Sequence, residues 1–167
     1  MAWPAGVLIG LLGSACTSST SSSSAATEVA ARLGDLEIIH PFLPDPASPS
    51  VAAVYLTVRD TGAAPDRLIA ISTTAATTSM MMAEEPNGAM APLVDLQIPA
   101  HGEASLAPGH DHLMLENPTP MFKVGQKVPV TLHFAQAGSV SIEVPVVPLT
   151  EIIDGSGSAG MGNMPGM

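Results

Sequence analysis

The chain has 167 residues, 46% of them hydrophobic, and a formal net charge of -10. This is enough for one domain with a real core, and the composition is not that of a disordered chain. The charge argues against nucleic acid and against charge-driven docking on anionic lipid, and the single cysteine, Cys16, excludes a disulfide framework or a thiolate zinc site within one chain.

The first feature in chain order is an apolar run from Ala5 to Ala15. At about eleven residues it is shorter than the roughly 20 that a membrane-spanning helix needs, and it fits the apolar part of an export signal. It leads into Gly13-Ser14-Ala15-Cys16 and a run of Ser and Thr from Thr17 to Ser24. Small residues before a lone Cys, followed by a Ser-rich tether, resemble a bacterial lipoprotein signal. The expected organisation is a signal over 1–15, an acylated Cys16 with a tether over 16–32, a domain over 33–149 and a flexible tail over 150–167. The domain would face outward, anchored by lipid to the outer face of the cell membrane or, without acylation, secreted.

Helical periodicity is hard to find in the body. Short β-prone runs recur instead, at Leu36–His40, Val51–Arg59, Arg67–Ser72, Ala75–Met82, Leu93–Ile98, Ala104–Leu106, Asp111–Glu116, Val128–Phe134 and Val140–Val147. Turn residues such as Asp60-Thr61-Gly62, Asn87-Gly88 and Pro108-Gly109 separate them. Val130, Leu132 and Phe134 alternate with Thr131 and His133, as in a half-buried antiparallel strand. The expectation is an all-β protein, an antiparallel β-sandwich.

One stretch of this body carries soft donors. Met80-Met81-Met82 is followed by Met90 and by His110-Asp111-His112-Leu113-Met114-Leu115. On a strand His112 and Met114 project to one side while Leu113 and Leu115 go to the other. Three consecutive Met residues cannot all face the core. A single Met is most simply a flexible core filler, but this grouping points to metal. Neutral thioethers with an imidazole suit Cu(I) far better than zinc or calcium, and outside the cytosol they avoid the oxidation that a Cys pair would suffer.

Here the chain resembles a known family, the periplasmic copper chaperones written PCu(A)C. Their pattern is His or Met, ten residues, Met, twenty-one residues, His-x-Met. Met90 and His112-Leu113-Met114 match its second part at full spacing. Ala53-Val54-Tyr55-Leu56-Thr57-Val58, Asp66-Arg67-Leu68 and Ile98-Pro99-Ala100-His101-Gly102 match its flanks, and Pro108-Gly109 precedes the His-x-Met motif. The resemblance runs from about Val51 to Val147. The position of the first ligand holds Ser79, a poor Cu(I) donor, so Met80, Met81 or Met82 must supply it. Met81 shares the face of Ser79 and is favoured. The alternative is a three-ligand site completed by a partner or by the tail.

The resemblance implies a cupredoxin-like (Ig-like) sandwich with an exposed Cu(I) site. It also implies copper delivery to the cytochrome c oxidase subunit that carries the dinuclear copper centre, or exchange with another copper chaperone. The tail ends in Met161, Met164 and Met167, a possible secondary copper site, with His110 as a reserve ligand. No Ser/His/Asp constellation, paired carboxylate motif or phosphate loop is visible, and blue-copper chemistry needs a Cys that the body lacks. The expectation is a monomeric binding protein rather than an enzyme. Copper storage or scavenging, or a lipid-anchored domain without metal, are the alternatives.

Overall fold

The computed structural model describes residues 28–150. The expected signal, Cys16 and the Met-rich tail with Met161, Met164 and Met167 lie outside the described residues. All the elements described are strands: β1 (Val29–Leu33), β2 (Leu36–Pro44), β3 (Val51–Asp60), β4 (Asp66–Ser72), β5 (Ala76–Glu84), β6 (Met90–Pro92), β7 (Leu96–Ile98), β8 (Glu103–Leu106), β9 (His112–Pro118), β10 (Lys127–Phe134) and β11 (Ser139–Val147).

The strands form one curled path, β6-β5-β9-β3-β2-β11-β10-β4-β7, with β1 added to β2 and β8 to β3. Every ladder is antiparallel except the short β11–β2 contact at Val146↔Leu43 and Val147↔Pro44. The two ends of the path, β6 and β7, have three residues each. Such short edges offer little backbone for a further chain to pair with.

The core follows from alternation. Ala52, Val54, Leu56 and Val58 of β3 point inward, as do Val128, Val130, Leu132 and Phe134 of β10 and Val144 and Val146 of β11. Leu113 and Leu115 of β9 are fully buried among them. Each such Val or Leu contributes roughly 1.5–3 kcal/mol by leaving water. His133 lies on the outer side of β10, as its place between Leu132 and Phe134 predicts.

Three features differ from expectation. The sheet begins at Val29, within the stretch assigned to the tether, because Gly34 at φ 59° turns β1 back onto β2. Met90–Pro92 is a strand of its own, returned onto β5 by the turn at Asn87-Gly88. Gly88 has φ 81°, a left-handed value that Gly adopts without strain. Finally, β2 does not stop at His40. The residue sits at φ 45° in a bulge, where the register to β3 shifts between Ile39 and Phe42, and the strand continues to Pro44.

Candidate metal centre

The donors are placed by the ladders between β5, β6 and β9. Across β5 and β9, Met82 faces His112, Met81 faces Leu113 and Met80 faces Met114. Residues directly opposed in an antiparallel ladder share a face, with Cβ atoms about 4.5–5.5 Å apart. Met80, Met82, His112 and Met114 therefore stand together on the side away from the buried Leu113 and Leu115. Across β5 and β6, Met82 faces Pro92 and Glu84 faces Met90. Met90 thus joins the same side, diagonal to Met82.

Met81 is on the other side. It is 5% exposed and belongs to the hydrophobic core, so the preference for Met81 as a ligand is corrected. The preference followed the parity of Ser79, and Ser79 itself faces inward, its hydroxyl donating to the carbonyl of Ile71 at 3.1 Å. A shift of one or three residues brings a thioether to the outer face, at Met80 or Met82.

The outer face is graded in depth. Met82 is buried at 8% exposure and Met90 is open at 39%, with His112 and Met114 half-buried. The result is a shallow row of thioethers, most enclosed at Met82 in its middle, half-buried at Met80 and Met114, and open to solvent at Met90.

His112 is oriented for coordination. Its Nδ1 lies 3.0 Å from the carbonyl oxygen of His110. A carbonyl only accepts, so Nδ1 carries the proton and donates, leaving the Nε2 lone pair free for a metal. Such a bond also fixes the ring of a metal-binding histidine. The turn before β9 supports this geometry: His110 N–H donates to Ala107 at 3.0 Å, and the Asp111 carboxylate accepts from Glu84 N–H at 3.0 Å. His110 itself points to Glu84, with Nδ1 3.2 Å from Oε2. It stands beside the thioether row rather than in it.

Two neighbours of the site escape a reading of the sequence. The Tyr55 ring lies 6.1 Å from the His112 ring, and Phe42 lies 5.2 Å from Tyr55, centroid to centroid. Burial pushes the Tyr55 phenol above its ordinary value of 10.0, so it stays neutral and is no anionic ligand. Glu84 is the second. Its only signal was its place two residues beyond Met82 on one strand. The remaining histidines lie on other elements: His40 in the β2 bulge, His101 in a turn at φ 53°, and His133 between Ser72 at 2.9 Å and Ser139 at 2.8 Å.

Among the described residues, no three His, Cys, Asp or Glu side chains converge on one metal position. The buried carboxylates are Glu37, Asp60 and Asp66, and each has structural partners. Glu37 pairs with Arg32 and Arg59, and Asp60 accepts from Gly62 N–H at 2.7 Å. Asp66 accepts from the N–H groups of Arg67, Gln136 and Ala137 at 2.7–2.9 Å. The arrangement that can hold a metal is the row of thioethers with His112, a donor set suited to Cu(I).

The sequence model of the family described as LpqE-like, a lipoprotein by that description, matches residues 36–146. Among solved structures the fold resembles the copper-bound PCuAC domain from PmoF2, with a TM-score of 0.63, 27% identity, and coverage of 71% of this chain and 97% of that one. The Cu(I) form of DR1885 from Deinococcus radiodurans is similar at a TM-score of 0.53 and 26% identity, over 64% of this chain and 74% of that one. Apo-DR1885 matches at a TM-score of 0.56 over 90% of this chain and 97% of that one, and at 24% identity its likeness is one of fold. No curated protein matches the chain. The expected cupredoxin-like antiparallel β-sandwich is the fold of this chain.

Proposed function

Since this chain belongs to the LpqE-like family and shares its fold with PCuAC copper-chaperone domains, we propose that it is an extracytoplasmic Cu(I)-binding chaperone. The observation that carries the proposal is the pairing of Met82 with His112 and of Met80 with Met114 on one face of the sheet. Core-filling methionines would be enclosed by apolar side chains, as Met81 is. Met90 is instead open to water, and Met80 and Met114 are only partly covered.

In this reading copper is cargo. Met90, His112 Nε2 and Met114 hold it, with Met82 or Met80 as the fourth donor. The donors are neutral and soft, so Cu(I) is held without a thiolate and without a change in its charge. The shallow site leaves one side of the ion accessible, which suits a protein that must give its metal away. The recipient proposed is the cytochrome c oxidase subunit that carries the dinuclear copper centre, or another copper chaperone. Acylation of Cys16 would keep the protein at the outer face of the cell membrane, and the role proposed involves no catalysis. The thioethers of Met161, Met164 and Met167 would offer Cu(I) a second station.

The test is a Cu(I) titration against a competing chelator, using residues 17–167. Replacing Met90, His112 and Met114 by Ala together abolishes tight binding. Unchanged affinity in that triple variant would overturn the proposal.

A further inference from the structure

The face that carries the thioethers is also apolar, acidic at its margin and free of cations. Val51, 40% exposed, and Met90, 39% exposed, share it with Ala53, Tyr55, Met80 and Met114. The odd-numbered residues of this half of β3 are placed there by the ladder pairs Val51↔Glu116 and Ala53↔Met114. Carboxylates stand around it. Glu84 is opposite Met90, Glu85 begins the adjoining turn, Asp111 precedes His112, and Glu116 is opposite Val51.

The chain has five Lys and Arg residues, and none is on β5, β6, β9 or the Val51–Tyr55 half of β3. Arg32 is on β1, Arg59 on the far half of β3 and Arg67 on β4. Lys123 lies beyond the far end of β9 and Lys127 on β10. The three arginines are held in ion pairs with Glu37, Glu103 and Asp95. Among the described residues the negative margin therefore has no Lys or Arg partner, and the one basic side chain beside it is the imidazole of His110, next to Glu84.

We propose that this face docks the copper acceptor, and that the acceptor presents an apolar surface with soft donors inside a basic rim. The inference rests on the copper reading above. An apolar centre with a polar rim is the usual anatomy of a protein interface. Opposite potentials raise association rates by roughly 10–1,000-fold and fix orientation. A second copy of this chain would bring two acidic margins together, and an anionic lipid surface would be repelled in the same way. Once docked, Cu(I) moves by ligand exchange: a bond to Met90 breaks as a bond to an acceptor donor forms, and no electron is transferred.

The test uses two synthetic peptides with one Met-x-x-Met-x-x-His core, flanked either by four Lys or by four Glu. Each is titrated into the metal-free full chain, with methionine methyl NMR and the anisotropy of a peptide label as readouts. The Lys-flanked peptide binds about tenfold tighter at low ionic strength and loses that advantage in about 0.5 M salt. Its shifts fall on Met80, Met82, Met90 and Met114. The double variant Glu85→Gln/Glu116→Gln narrows the preference to about threefold and leaves Cu(I) affinity unchanged. Equal binding of the two peptides to the unaltered chain, or shifts confined to other methionines, would overturn the docking inference. A separate Cu(I) titration judges the copper reading, so a chain that selects the basic peptide but takes up no copper contradicts only that reading.

Discussion

Met82 and His112 are direct partners in the β5–β9 ladder, so the imidazole whose Nε2 is free stands beside a thioether that is 8% exposed. Met81, the next residue along β5, belongs to the core. Adjacent methionines thus serve different ends, and substitution separates them.

Met81→Ala removes a core side chain and lowers stability by about 2–3 kcal/mol, within the usual cost of Met→Ala in a core. Its Cu(I) affinity stays near that of the parent. Met82→Ala does the reverse, weakening Cu(I) binding at least tenfold, about 1.4 kcal/mol, with a smaller effect on folding. Denaturant unfolding of the metal-free proteins and chelator competition measure the two effects.

His112 supplies the one nitrogen donor assigned to the row, through Nε2. His112→Ala therefore weakens Cu(I) binding at least tenfold, about 1.4 kcal/mol, and costs little stability because the side chain is only half-buried on the outer face. Chelator competition and thermal unfolding check the two effects. Imidazole nitrogen NMR on the metal-free protein shows the Nδ1–H tautomer, as the bond to His110 requires.

Tyr55 is the chain's one tyrosine, so its ultraviolet titration reports a single phenol. The midpoint lies above 10.0, because burial disfavours the phenolate. Since the folded value is raised, the folded protein holds this proton at pH values where the unfolded chain has lost it. The associated stability is full below about pH 10 and is lost as the pH rises through the folded value. The ring is 6.1 Å from that of His112, so Cu(I) binding also changes Tyr55 fluorescence in residues 17–167, which lack the sole tryptophan, Trp3.

Asp66→Ala leaves the backbone N–H groups of Arg67, Gln136 and Ala137 without their acceptor. The bonds are part-buried and charge-assisted, on a carboxylate that is itself buried, and the expected loss is about 2–3 kcal/mol. Copper affinity is unaffected, because β4 and the β10–β11 turn lie on the other half of the sheet path. Thermal unfolding and Cu(I) titration of one sample test both halves.

Removal of residues 155–167 leaves the first equivalent of Cu(I) bound with parent affinity, since its donors lie on β5, β6 and β9. Copper stoichiometry with and without that segment is the measurement, and any equivalent lost with it belongs to Met161, Met164 and Met167.

Much of the fold was legible because alternation is a local property. The run from Val51 to Arg59 and the pattern of Val130, Leu132 and Phe134 each state a strand and a buried face. The two strands that were missed are weak signals of another kind. Val29–Leu33 is exposed or half-buried along its length and follows a Ser-rich stretch. Met90–Pro92 has three residues, too few for any periodicity to register.

At the site, the sequence by itself determined that His112 and Met114 share a face opposite Leu113 and Leu115, and that Met80 and Met82 oppose Met81. Alternation sets such relations within one strand. It does not say which parity of Met80-Met81-Met82 lies inside, because Met is at home in a core and on a metal. That choice belongs to the register between strands, which depends on contacts distant in sequence. Only the tertiary structure, by setting Met81 against the buried Leu113 and Met82 against His112, sends the middle methionine to the core and its neighbours to the outer face beside His112.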